Sequence, residues 1–389
     1  MHLPTSACTI ESLASPTIAA CATGPQATID LGALRHNVRV LARRAAPAGL
    51  MAVVKANAYG HGTVRVAETC IEAGAEQLAV ARLAEGAALR EAGIKTPILV
   101  LGAPDTDALT RYAQFDLSVT ASSARVVAAL ASARTPLRVH LKVDTGMGRL
   151  GCSPADAPAL LEQLQAASHL KVDGLWTHFA TADEPDSAYA REQLQRFQQL
   201  RATLQRPHVP VHLANSAALL YLNEAMQQTE HSLVRAGLSL YGVPPAADAP
   251  LTVSLRPVMR LSAPVVHLKT VSPGTSISYG ARWTASRPTR IATLGVGYGD
   301  GYPRLCSKYG RVRINDTLRP FAGTICMDMC MVDLGRPEGA LAQRVHEGDT
   351  AVLFDAEGPT AHDVATWART IPYEIFCRLD ARVPRNYVA

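Results

Sequence analysis

Aromatic side chains are scarce in this 389-residue chain, at 5%. That is too few for a stacking platform that would hold single-stranded nucleic acid. No basic block stands out either. The net charge of +5, from 38 basic and 33 acidic residues, is spread along the sequence, so nucleic acid is not an expected partner. No apolar run approaches the roughly 18 residues that cross a bilayer, so no membrane partner is expected. The first 25 residues hold no Lys or Arg and lack the cationic start of a secretory signal. The stretch 17–21 faintly resembles a lipoprotein cleavage site, but without a charged or long apolar lead it reads as a loose tail. No CxxC pair occurs among the eight cysteines. Free thiols in a reducing compartment fit better than a disulfide framework, and the cytoplasm is the expected location. Cys326 and Cys330 have no second Cys or His pair nearby, so no metal site is expected. Internal repeats and low-complexity tracts are also missing.

What is present is ample apolar surface. Hydrophobic residues make up 48%, which excludes disorder over most of the chain, and the length suggests two domains. Residues 1–26 carry turn formers and small residues and are expected to form a flexible extension. Eight short apolar runs follow, at 51–54, 77–81, 98–101, 116–119, 137–143, 172–179, 209–213 and 232–240. Segments of helical periodicity lie between them, as at 64–73, 84–92, 124–131, 155–167 and 187–204. Eight strands alternating with helices are the pattern of a (β/α)8 barrel of TIM type, expected over 27–252. An open doubly wound sheet would show the same alternation. From about residue 253 the rhythm changes to short strands broken by turns, at 265–270, 289–295, 312–314, 317–321, 329–334 and 351–354. Residues 253–389 are therefore expected to form a second, mostly β domain, giving an α/β protein overall.

Reactive side chains gather where these strands end. Lys55 follows the first, Lys142 ends the fifth with Arg149 in its loop, and His178 lies at the end of the sixth. Asn215 and Ser216 follow the seventh, and Arg235 with Gly237 lies on the eighth. In a barrel, active sites form at the C-terminal ends of the strands, and phosphate sites favour the loops after the last two. The plain alternative is that strands end in water and so end in polar residues. A lysine directly after the apolar run 51–54 is partly desolvated, which lowers its pKa. Its neutral amine can form a Schiff base with a carbonyl. A strand-end lysine with a phosphate cradle fits pyridoxal 5′-phosphate, an electron sink.

These residues resemble a known family. The segment 52–62, AVVKANAYGHG, is similar to the cofactor-lysine motif of bacterial alanine racemases, pyridoxal-phosphate enzymes of fold type III. The similarity continues through KVDTGMGRLG at 142–151, WTHFA at 176–180, ANS at 214–216 and VRAG at 234–237. It goes on with SYG at 278–280 and ICMD at 325–328, then with Tyr373–Glu374, Arg378, Arg382 and Val383. Order and approximate spacing agree over residues 27–389.

The resemblance implies roles. Lys55 would hold the cofactor and act as one base, with Tyr279 as a second base on the other face of the substrate. A free tyrosine, with a reference pKa of about 10, is a poor base at neutral pH, so positive charge from His178 and Arg235 would have to support it. Arg235 would face the pyridine nitrogen. A guanidinium there cannot take up a proton, so the ring stays a weaker sink and the carbanion short-lived. Without the motif, an ion pair with an acidic neighbour would explain Arg235 equally well. Tyr59, Ser216, Tyr373 and the backbone around Gly237 would hold the phosphate. His178 would pack on the ring, and Asn215 would orient the cofactor. Arg149 and Met327 would meet the substrate carboxylate. Lys142 would be a carbamate paired with Arg149, or else an unmodified lysine paired with an acid. Tyr298 would guard the entrance. Since Tyr279, Tyr298 and Met327 come from the second domain, a head-to-tail homodimer with shared sites is implied.

The implied activity is racemisation of alanine, supplying D-alanine for peptidoglycan. A broad-specificity racemase, a decarboxylase or a non-catalytic cofactor carrier of the same barrel are the rivals. A decarboxylase would be expected to place an acid where Arg235 stands, and a single-domain carrier would lack the domain that bears Tyr279.

Overall fold

The structure is a computed structural model and describes residues 23–184, 186–204, 209–226, 232–246, 249, 251 and 253–389. Cys8, Cys21, the stretch 17–21 and most of the expected extension lie outside the described residues. The first strand, β1 (Gln26–Asp30), is followed by the helix Leu31–Ala45. Asp30 caps that helix by accepting the Ala33 N–H at 2.7 Å. Leu34, Val38 and Leu41 recur at helical spacing and are fully buried.

Eight parallel strands then form the barrel: β2 (Gly49–Val53), β3 (Gln77–Val80), β4 (Ile98–Val100), β5 (Leu117–Ala121), β6 (Leu137–Lys142), β7 (Leu170–Trp176), β8 (Val211–His212) and β9 (Leu233–Ala236). Each pairs with the next in sequence from β2 to β8, and β9 pairs with β2. The gap between β8 and β9 is bridged by the Arg235 N–H, which donates to the Ala214 carbonyl at 3.0 Å. This ring rules out the open sheet. The strands β4, β5 and β9 are buried at every position. Parallel strands are covered on both faces, which is why β4 appears as a continuous apolar run, whereas β5 buries Ser118 and Thr120 and β9 buries Arg235.

The second part holds β10 (Met259–Val271), β11 (Ser276–Ile277), β12 (Trp283–Thr284), β13 (Thr289–Leu294), β14 (Arg311–Ile314), β15 (Thr317–Pro320), β16 (Cys330–Gly335), β17 (Thr350–Phe354) and β18 (Arg385–Val388). The long strand β10 pairs with β1 and β17 along its first half and with β13 along its second, with a register shift in each of these two stretches. The first and last strands meet here, because β1 lies antiparallel to β10 and parallel to β18. One hydrophobic core runs from the barrel into this sheet. Two helices not expected from the sequence, Ala361–Ala368 and Pro372–Cys377, bring the chain back over the barrel mouth. No helix among the described residues is long and apolar enough to cross a membrane.

Candidate active site

A cavity of about 770 Å³ opens at the C-terminal ends of the barrel strands. Lys55, Lys142, Arg149 and Arg235 all line it, and among the described residues no Asp or Glu does. Four basic side chains without an acid are built for an anionic ligand.

Lys55 starts a turn of unusual hand. Ala56, Asn57, Ala58 and Tyr59 all have φ between 51° and 54°, and Gly60 follows at φ 80°. A left-handed turn costs roughly 1–2 kcal/mol per L-residue, so the surroundings must enforce it. Glu85 accepts the N–H groups of Ala56 and Ala81 at 2.7 Å each and of Arg82 at 2.9 Å. The Asn57 side chain accepts the Thr63 N–H at 3.0 Å. Buried His61 bonds the Ala58 and Tyr59 carbonyls at 3.1 and 2.9 Å. The turn aims Lys55 and Tyr59 at the cavity. Burial, with Arg149 second, lowers the Lys55 pKa from its ordinary value.

Tyr59 packs between Tyr241 and Tyr373, with ring centres 4.9 and 5.8 Å away. Burial raises both the Tyr59 and Tyr373 hydroxyls, the latter to about 12. Both therefore stay protonated and can donate. Beside them the Ser216 hydroxyl accepts the Gly237 N–H at 2.8 Å. A Cβ on Gly237 would come within 2.9 Å of the Tyr59 oxygen, so glycine keeps this corner open. Asn215 lines the cavity and caps the helix Ser216–Tyr221 by accepting the Ala218 N–H at 2.9 Å.

Arg235 is buried and has no acidic partner among the described residues. It donates to the carbonyls of Thr177 at 2.8 Å and Leu213 at 2.9 Å and to that of His212. It also meets His212 Nδ1 at 3.0 Å and His178 Nδ1 at 3.2 Å. Burial lowers it to about 9, yet it remains cationic at neutral pH. This removes the ion-pair alternative. His178 is pushed well below its usual value by burial and then by Arg235. It is neutral, so the positive charge at this point of the wall belongs to Arg235 and not to the imidazole. Lys142 is buried, and its Nζ has no hydrogen-bond partner. Burial, Arg235 and Arg149 bring it to about 7. The loop carrying Arg149 is folded around Asp144, whose Oδ1 accepts the Gly146 and Gly148 N–H groups at 2.9 and 3.1 Å.

Two family models cover nearly all of the chain. Residues 29–245 match the alanine racemase N-terminal domain and residues 258–387 the alanine racemase C-terminal domain. The chain belongs to the alanine racemase family. An alanine racemase of Desulforamulus reducens is 42% identical over 373 residues, covering 93% of this chain and 98% of that protein. One of Symbiobacterium thermophilum is 43% identical over 372 residues, covering 93% and 96%. The crystal structure of alanine racemase from E. faecalis superposes with a TM-score of 0.88 at 34% identity, covering 95% of this chain and 99% of that one.

Three family positions lie away from this cavity. Tyr279, Met327 and Tyr298 are exposed at the surface of the C-terminal part, Tyr279 by 73% and Met327 by 54%. Tyr279 sits in a strained turn, with Ser278 at φ 67° and Ala281 at φ 47° flanking it and Gly280 at φ 77°. Such strain persists only where surrounding structure enforces it, and it gathers at functional sites. Sequence reasoning missed Ile371 and Cys377, which line the cavity from the same helical segment as Tyr373. The spacing of four from Tyr373 to Cys377 was the available signal. It also missed Glu85, whose role depends on a loop conformation that nothing local announces.

Proposed function

We propose that this chain interconverts L- and D-alanine with pyridoxal 5′-phosphate in the barrel cavity. The observation that carries the reading is the cavity itself, with four basic side chains, a lysine of lowered pKa and no lining carboxylate among the described residues. The group fits this wall. Its phosphate would meet the protonated hydroxyls of Tyr59 and Tyr373 and the corner of Ser216 and Gly237. Lys55 would hold its aldehyde carbon, Arg235 would face its ring nitrogen, His178 would pack on the ring, and Asn215 would orient it. When bound, the cofactor supplies a conjugated ring that withdraws electrons from the substrate α-carbon.

This chain's own residues move the protons. The Lys55 amine would take or return the α-proton at Nζ. Inversion requires a second group on the other side of that carbon, and Tyr279 of a second copy of the chain supplies it. Arg149 and Met327 orient the substrate carboxylate, and Tyr298 borders the entrance. A head-to-tail homodimer would cover the exposed Tyr279, Tyr298 and Met327. Lys142 would carry a carbamate that pairs with Arg149. In this reading residues 27–252 bind the cofactor and residues 253–389 complete the site of the partner. The role is supply of D-alanine for peptidoglycan in the cytoplasm.

The test is turnover of L-alanine in heavy water. The expected product is D-alanine bearing deuterium at the α-carbon, abolished by Lys55→Ala and strongly reduced by Tyr279→Phe. No D-alanine, or no deuterium in it, sinks the reading. A panel of other L-amino acids separates it from a broad-specificity racemase.

A further inference from the structure

The segments bearing Tyr298 and Met327 are joined backbone to backbone. The Tyr298 N–H donates to the Cys326 carbonyl at 3.0 Å and the Gly299 N–H to the Met327 carbonyl at 2.8 Å. A Cβ on Gly297 would fall 2.2 Å from the Met327 oxygen. The approach is therefore open only to glycine.

One guanidinium closes this pair. Arg382 Nε donates to Asp300 Oδ1 at 2.7 Å, and its Nη2 donates to Asp328 Oδ1 at 2.9 Å. Asp300 is buried, and its other oxygen accepts the Gly297 N–H at 2.8 Å at the base of the Tyr298 segment. Asp328 directly follows Met327 and is exposed. Arg382 is itself fixed, because its N–H donates to Asp380 Oδ1 at 2.9 Å and the Asp380 N–H donates to the Asp300 carbonyl at 3.1 Å.

We propose that Arg382 is a positioning residue that holds Tyr298 and Met327 as one unit for the active site of a second copy of the chain. The proposal rests on the shared-site reading above. Its anchor is the buried Asp300, and from there it reaches the exposed Asp328. The leg from Arg382 to Asp328 is exposed and contributes little to folding, so that part of the clamp is not explained by stability. A planar fork with several donors can bridge two carboxylates at fixed angles, whereas a lysine offers a point charge on a flexible stem. Placement of binding groups is sensitive to displacements of about 1 Å, so a loosened clamp registers in substrate binding first.

The experiment uses the holoenzyme. Arg382→Ala is expected to raise the KM for alanine on the order of tenfold, the effect of one lost charged contact, while kcat changes less. Arg382→Lys does not restore the KM, and millimolar guanidinium ion added to Arg382→Ala partly does. Thermal unfolding, with Arg382→Gln as a second variant, checks that the fold persists. Heterodimers then locate the effect. Pairing a Lys55→Ala chain with a Tyr279→Ala chain leaves one competent site, which takes Lys55 from one chain and Tyr279 from the other. Arg382→Ala should raise KM when placed on the chain that supplies Tyr279, and have the smaller effect on the chain that supplies Lys55. An effect that follows the Lys55 chain, or an unchanged KM in both arrangements, overturns the proposal. If verified heterodimers are inactive with Arg382 intact, the shared-site reading fails instead, and the proposal with it.

Discussion

Lys142 Nζ lies 3.8 Å from the centre of the Trp176 ring and has no hydrogen-bond partner. The Arg235 guanidinium lies 4.8 Å from the same ring. Two cations over one indole repel each other, and burial brings Lys142 to about 7. A large fraction of a neutral amine therefore exists at neutral pH, and carbon dioxide adds to neutral amines. The product is an anion among three cations. We expect a carbamate carbon resonance when the enzyme is equilibrated with 13C-bicarbonate, and its loss in Lys142→Arg. A spectrum identical in both proteins would contradict the modification.

Gly237→Ala tests the phosphate corner. Its new Cβ would sit 2.9 Å from the Tyr59 oxygen, and Tyr59 cannot retreat because two other tyrosine rings flank it. The crowding falls where the phosphate would bind. Cofactor affinity is expected to drop at least about tenfold, from the loss of roughly one good hydrogen bond to a charged group. Equilibrium dialysis of pyridoxal phosphate measures it. Unchanged affinity would remove Gly237 from the cradle.

Much of this architecture is legible in the sequence, for physical reasons that differ by element. The barrel strands are buried on both faces, so β4 and residues 50–53 of β2 announce themselves as unbroken apolar runs. β1 does not, because its burial alternates and its partners β10 and β18 are more than two hundred residues away. The helix Ala361–Ala368 carried a readable start, Thr360 with Asp363 three positions on, each bonded to the other's backbone. Pro372 likewise stands at the first turn of its helix. The expectation of short strands broken by turns passed over both signals. Within the site, Lys55, Arg235 and Ser216 could be placed because strand ends in a barrel converge. Glu85 and Arg382 could not, because each acts on backbone groups or carboxylates brought near only by the finished fold.

Glu85 is the next test. Its carboxylate accepts three backbone N–H groups, including that of Ala56 immediately after Lys55. Carboxylate bonds of this kind contribute about 1.5–3 kcal/mol each, against a left-handed turn costing roughly 1–2 kcal/mol per residue. Removing Glu85 tips that balance. Glu85→Ala should relax the turn, with kcat/KM falling by at least about tenfold and the global Tm falling by only a few degrees. Glu85→Gln keeps one of the two acceptor oxygens and should retain more activity than Glu85→Ala. Unchanged kcat/KM in Glu85→Ala would remove Glu85 from the support of this turn.

Stability should fall as the medium turns mildly acidic, because buried histidines, His61 and His140 among them, are kept neutral by the fold. His61 and His140 are each held at about 4 by burial, against an unfolded value near 6.5. His61 Nδ1 faces two carbonyls and so carries its proton, leaving Nε2 bare and without a partner. His140 Nδ1 faces His212 Nε2 at 2.9 Å, and Arg235 donates to His212 Nδ1. His212 must therefore hold its proton on Nε2, and His140 Nδ1 accepts it. Protonating either buried ring breaks this arrangement. Between about pH 6.5 and 4 the unfolded chain binds more protons than the folded one, so stability rises with pH there. It is full above 6.5 and is lost as pH falls toward 4, by on the order of 1–3 kcal/mol per histidine. Urea midpoints at pH 7.5, 6.5, 6 and 5, above the ordinary carboxylate range, should decline mainly across the last three. His140→Gln should flatten the decline. A midpoint at pH 5 equal to or above that at pH 7.5 would show that neither ring is kept neutral by the fold.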